Sequence, residues 1–141
     1  VRALLAPEIA PALQQAMTAS PEGPFAVPAV LGHLLLGLAL QRQDPTLLAL
    51  GAEAQSTAAR LEPWRSDVLN NYGVALVNLG RLEEAEPVLR EAIRLAPTIP
   101  SAHLLLGSLL ERQGRRVEAE ASFAAARRLE EQGRSGQPAP R

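Results

Sequence analysis

A period of 34 residues constrains this chain more than any other feature of it. Gly73 recurs as Gly107, Gly80 as Gly114, Ala85 as Ala119 and Ala92 as Ala126, each displaced by 34 positions. Four small residues in one register define a repeat, and a repeat of this length is one supersecondary unit that buries its apolar face only by stacking on neighbours. The spacing also runs backwards: Ala58, Leu61 and Pro63 precede Ala92, Leu95 and Pro97 by the same interval. Three units are therefore expected. In the first, HLLLG at 33–37 is matched with HLLLG at 103–107, a separation of 70 where two periods give 68, and the extra pair is placed in the QDPT turn.

Apolar residues inside each unit are spaced by three and four, so each unit reads as two helices joined by a turn. Ser66 is expected to cap a helix running to Leu79, with Gly80 as the left-handed residue that ends it. A second helix from Leu82 to Ala96 stops before Pro97. In the third unit Pro100 opens the first helix, Gly114 closes it, and the second helix runs from Arg116 to Gln132 ahead of a Gly, Ser and Pro tail. Asp44-Pro45 reads as a cap followed by a first-turn proline. Pro87 conflicts with the helix around it, which predicts a kink or a late helix start. The repeated glycines and alanines have a steric reason, since they let antiparallel helices approach closely while larger residues fill between. Aromatic residues are only 3%, so that filling must be mainly aliphatic. Ile9, Leu13 and Met17 form a stripe between Pro7 and Ser20, predicting one more helix as a cap or half-repeat. The link PEGPFAVP after it is either an ordered loop pinned by Phe25 or a tether. The expected organisation is an N-terminal helix and link over 1–29, a repeat domain over 30–132 with units at 30–65, 66–99 and 100–132, and a disordered tail over 133–141.

Charge and composition exclude several function classes. The net charge is −1, and the 14 basic residues, all arginine, are interleaved with glutamates rather than gathered in a strip, so nucleic acid is not an expected partner. There is no cysteine. His33 and His103 lack a second ligand at i+4, so no metal site is expected. The chain has no Gly-rich phosphate loop, nucleophile elbow or paired catalytic ligands, and the reading is a non-enzyme with no cofactor. Val27 to Leu40, the longest apolar stretch, is interrupted by Pro28 and His33 and is too short to cross a bilayer core of about 30 Å, so no direct membrane insertion is expected. The arginine bias is read as genome composition with some thermal adaptation, and the source is expected to be bacterial. The sequence starts at Val1, which leaves room for an upstream leader, anchor or domain. The compartment stays open between cytoplasm and periplasm.

The repeat resembles the tetratricopeptide repeat, whose pattern is W-x2-L-G-x2-Y followed by A, F, A and P. In unit three His103 takes the tryptophan place, Leu106-Gly107 the Leu-Gly pair and Leu110 the tyrosine place, with Ala119, Phe123 and Ala126 following. Unit two is similar, with Leu69, Tyr72-Gly73, Leu76, Ala85, Leu89, Ala92 and Pro97. Unit one is degenerate: His33, Leu36-Gly37 and Leu40 fit, but Gly51 falls where alanine is expected. The resemblance covers residues 30 to 132 and implies an all-α fold, an α-solenoid of antiparallel helix pairs whose first helices line a peptide-holding surface. It implies a scaffold or adaptor that binds a peptide or helix of a partner protein. The alternatives are a self-associating module, with the small-residue surface Ala119, Ala121, Ala124 and Ala125 covered by another copy, and a targeting arm of a larger protein.

Carried onto this chain, the family's groove positions give Leu34 and Leu38 from unit one, Asn70, Asn71, Val74 and Asn78 from unit two, and Leu104, Ser108 and Arg112 from unit three as candidate peptide-binding residues. Val77 and Leu105 fall among the same positions. Asparagine suits a peptide backbone because its amide both donates and accepts. The competing reading has Asn71 holding neighbouring helices and Asn70 and Asn78 solvated. Members of the family that grip a terminal carboxylate use lysine, asparagine and arginine; here the matching places hold Leu34, Leu38, Asn71, Ser101 and Leu105, so no such clamp is expected. His33 and His103 are read as packing residues, Arg115-Arg116 and Arg127-Arg128 as parts of a solvated charged face. Trp64 is either an exposed contact residue or a plug between units, with the plug preferred.

Overall fold

A computed structural model describes residues 27–136, and the described residues form six helices. These are α1 (Val27–Arg42), α2 (Pro45–Leu61), α3 (Ser66–Asn78), α4 (Leu82–Leu95), α5 (Pro100–Arg112) and α6 (Arg116–Ser135). The chain divides into two compact units, Val1–Pro63 and Trp64–Arg141, each with its own packing. The stripe at Ile9, Leu13 and Met17 lies outside the described residues. The PEGPFAVP link ends sooner than expected, because Val27 and Pro28 already belong to the first turn of α1, a place that tolerates proline.

In the C-terminal unit, α3 packs on α4 and α5 on α6 as hairpins, and the hairpins meet through α3, α4 and α5. Gly80 and Gly114 occupy the left-handed region, with φ of 75° and 79°. The next amides, Arg81 N and Arg115 N, donate to the Leu76 and Leu110 carbonyls at 2.9 Å, closing both helices with the same turn. Leu76, Leu89, Leu109 and Leu110 are fully buried with Ala85, and Ala119 joins them. Tyr72 and Phe123 pack against this core from its edge. Gly73 leaves space that Leu89 fills, and Gly107 leaves space for the Phe123 ring. The repeated glycines thus serve side chains of the second helix at a fixed register.

Several helix ends differ from expectation. Ser66 is the first residue of α3 and does not cap it; the capping position is Arg65, which makes no side-chain cap bond. Arg65 instead pairs with Asp67 in the first turn at 2.6 Å, a place where a carboxylate suits the helix dipole. That hydrogen bond holds the Asp67 carboxyl below its usual value. Pro87 neither delays nor splits α4, which runs unbroken from Leu82 to Leu95. The amide that proline lacks would have bonded the Glu83 carbonyl, and both residues are exposed, so that carbonyl stays open to solvent. Helix α6 continues past Gln132 to Ser135, so the first residues assigned to a disordered tail are helical. Trp64 is 66% exposed, which does not fit the plug preferred from the sequence.

The N-terminal unit departs from the expected register. Asp44 caps α2 as read, its Oδ1 accepting from Thr46 N at 2.8 Å and Leu47 N at 3.2 Å. The residue closing α1 is Gln43, left-handed at φ 54°, with Asp44 N donating to the Ala39 carbonyl at 3.1 Å. The connection is only Gln43 and Asp44, shorter than the three-residue links at 79–81 and 113–115, so no extra pair lengthens this turn. With the turn early, α1 slides along α2. Gly37 ends up exposed with nothing near its missing Cβ, and Gly32 takes the role of Gly73 and Gly107: a Cβ there would lie 2.7 Å from Gln55 Cγ. The two HLLLG strings are therefore not structurally equivalent, and His33 is exposed where His103 is half-buried.

Gln55 stands 34 residues before Leu89 and is 0% exposed, its Nε2 donating to the Ala29 carbonyl at 3.3 Å. Gly51, at the alanine place, lets α1 come close, since a Cβ would sit 3.2 Å from Leu36 N. Leu35, Ala39 and Leu47 form the core of this hairpin, with Leu31, Leu38 and Leu48 packed at its edge.

Candidate protein-binding face

Helices α3 and α5 are first helices of successive repeats and contact one another directly. Their candidate residues therefore align at the repeat spacing. Asn70, Val74 and Asn78 on α3 are matched by Leu104, Ser108 and Arg112 on α5, each pair 34 apart and each set stepping by four along its helix. None of the six is buried: Asn78, Leu104 and Arg112 are exposed, and Asn70, Val74 and Ser108 are half-buried. Leu104 is 40% exposed, an apolar side chain that packing within the unit does not cover.

Two polar side chains on this face are held by backbone carbonyls. Asn78 Nδ2 donates to the Val74 carbonyl at 2.8 Å, which fixes the amide over its own helix. Arg112 Nη1 donates to the Val77 carbonyl at 2.8 Å, tying the C-terminal end of α5 to that of α3. A cation there also meets the negative end of the α3 dipole. Asn70 turns its Oδ1 inward, where it is buried without a hydrogen-bond partner. Asn71 is half-buried. Two expected groove positions are not on the face: Val77 is buried in the core and Leu105 packs against it. Leu34 and Leu38 belong to the N-terminal unit, half-buried on α1, and Leu38 leans on that hairpin's core.

A charged cluster links α4 and α6. Glu86 accepts from Arg90 at 2.9 Å and from Arg115 at 2.9 Å, and Arg115 also holds Glu118 at 2.6 Å. The bond from Arg90 first, then that from Arg115, keeps the Glu86 carboxyl below its usual value, and Arg115 does the same for Glu118. Arg81 and Glu84, one repeat earlier, make the same pair at 2.6 Å. Arg115 is thus more than part of a solvated surface: its i, i+3 partner is legible in the sequence, but its bond across to Glu86 is not. Among the described residues no group of His, Asp and Glu could hold a metal ion, and no helix is long and apolar enough to cross a membrane.

Comparison with known proteins agrees with this geometry. The tetratricopeptide repeat family model matches residues 36–100 and 73–134. Among solved structures, a MamA from MSR-1 superposes with a TM-score of 0.69 at 26% identity, covering 86% of this chain and 65% of that one. A thermophilic TPR protein of Thermus thermophilus gives a TM-score of 0.68 at 25% identity, covering 84% of this chain and 64% of that one. The Drosophila melanogaster protein O-mannosyl-transferase Tmtc1 is 36% identical over 113 residues, which is 79% of this chain but 13% of that protein. The chain thus spans a little under two thirds of those two solved chains and a small part of Tmtc1. It belongs to the tetratricopeptide repeat family, whose fold is a module for protein–protein interaction.

Proposed function

We propose that this chain is an adaptor and that the face made by α3 and α5 holds an extended or helical segment of a partner protein. The observation that carries the reading is the pair of aligned rows: two adjacent helices present three matched rungs each, mixing amides, a hydroxyl, a guanidinium and apolar surface, with Leu104 uncovered. Amides at Asn70 and Asn78 suit a peptide backbone, while Val74 and Leu104 give apolar contact between them. Leu34 and Leu38 are a separate apolar contact candidate within the N-terminal unit. The test is capture from a lysate of the source organism with quantitative mass spectrometry, comparing the natural chain with one carrying Asn70→Ala, Asn71→Ala and Asn78→Ala. A specific partner should be depleted with the variant while its thermal melt changes little. Equal recovery of that partner would remove these residues from the site.

A second reading is self-association through α6: of the alanines expected on that surface Ala119 is buried in the chain's own core, but Val117 is 87% exposed at the start of the helix. Light scattering on the purified chain separates the two, since a concentration-dependent dimer weakened by Val117→Ser belongs to the second. The match to a small part of Tmtc1 also suits a role as the interaction arm of a larger protein.

A further inference from the structure

A small open cavity of about 230 Å³ in the C-terminal unit is lined by Pro97, His103, Ala125, Arg128, Leu129 and Gln132. One period earlier the same positions hold Pro63, Leu69, Glu91, Arg94, Leu95 and Thr98. In that earlier unit Arg94 grips Glu91 with both arms of its fork, Nε to Oε2 at 2.7 Å and Nη2 to Oε1 at 2.6 Å. In the later unit the glutamate is replaced by Ala125 and the buried Leu69 by His103. Arg128 has lost its acid. Among the described residues it makes no ion pair, while its neighbour Arg127 is held by Glu120 at 2.8 Å. His103 Nε2 lies 3.0 Å from the Pro97 carbonyl, within hydrogen-bond distance. Gln132 lies one turn beyond Arg128, on the same side of α6.

We propose that this cavity binds a carboxylate carried on a short aliphatic stem. The Arg128 guanidinium takes both oxygens as Arg94 takes those of Glu91, which is the geometry this fork favours. Gln132 adds an amide donor, and Ala125 and Leu129 give the stem an apolar floor. The ligand supplies the carboxylate that the repeat lacks here. It comes either from a glutamate side chain of a docked protein or from a free small acid. The site is independent of the α3 and α5 face and stands or falls separately from it.

The test is a titration of the isotopically labelled full chain, followed by nuclear magnetic resonance at the Arg128 Nε–H and the Ala125 and Gln132 amides. Three probes are used at constant ionic strength: N-acetylglutamate amide, propionate and, as the uncharged control, propionamide. The two acids should give saturable shifts at these groups and propionamide none. Arg128→Gln should abolish saturation. So should Ala125→Glu, which restores the internal carboxylate and is compatible with the helix. At least tenfold tighter binding of the glutamate probe assigns the site to a protein side chain, and equal or tighter binding of propionate assigns it to a free acid. Shifts that never saturate, or that persist unchanged in both variants, would overturn the proposal.

Discussion

Gly107→Ala should destabilise the C-terminal unit even though the same change ordinarily strengthens a helix. A Cβ at Gly107 would lie 2.6 Å from Phe123 Cε1, 2.7 Å from Cδ1 and 3.0 Å from Cζ. Carbon atoms prefer a separation of roughly 3.5–4.0 Å, so the helices must open by about an ångström. An aromatic ring cannot yield by turning a terminal methyl group. Overpacking of this kind costs about 1–3 kcal/mol, while replacing glycine by alanine inside a helix returns about 1 kcal/mol. The net loss is therefore roughly 1 kcal/mol, within a range of about 0–2. Gly37→Ala is the control, because nothing lies within 4 Å of its missing Cβ, and it should stabilise by about 1 kcal/mol. Urea unfolding followed by circular dichroism reads both. In a Phe123→Ala background, Gly107→Ala should change sign and become stabilising, which isolates the contact. Equal stabilisation by Gly107→Ala and Gly37→Ala in the natural background would refute the packing argument.

Two further changes test the turns and the charged cluster. Gln43→Gly should stabilise the N-terminal hairpin by about 1 kcal/mol, because a left-handed residue with a Cβ is strained, and a loss in thermal unfolding would show that Gln43 is not left-handed in solution. Glu86 and Glu118 have carboxyls held below their ordinary value of 4.5, so their pairing contributes stability above that value and loses it as pH falls through the lowered values of the folded protein. Arg115→Met should lower stability at neutral pH and flatten the decline on the acid side; an unchanged acid slope would mean that the pairing does not persist in solution.

The C-terminal unit is legible in the sequence because each repeated small residue answers to one steric demand. Gly73 and Gly107 admit the side chains of Leu89 and Phe123, and Gly80 and Gly114 close the first helices in the left-handed region. The N-terminal unit misleads for a physical reason. A leucine-rich helix gives the same letters on every face, so the string HLLLG matches without fixing which residues turn towards α2. The corrective signal is present in Asp44-Pro45, which starts α2 at residue 45, three residues earlier than the 48 obtained by subtracting one period from Leu82. Ser66 fails as a cap because the helix already includes it as its first residue, which leaves Arg65 at the capping position. Of the candidate site, the pairing of α3 with α5 positions follows from the period, whereas the burial of Val77 and Leu105 depends on which side of each helix meets the core. The loss of the acid beside Arg128 is legible once the repeats are aligned, with Ala125 at the place of Glu91, whereas the cavity next to it depends on how α6 packs.

The measurement that bears most directly on the central claim is site-specific photocrosslinking in the source organism. A photoreactive residue is placed at Val74 on the α3 and α5 face and, in a separate chain, at the exposed Glu83 on α4. The account predicts a discrete adduct with another protein from position 74 and none from position 83. The same adducts from both positions, or an adduct from 83 alone, would contradict the assignment of binding to this face.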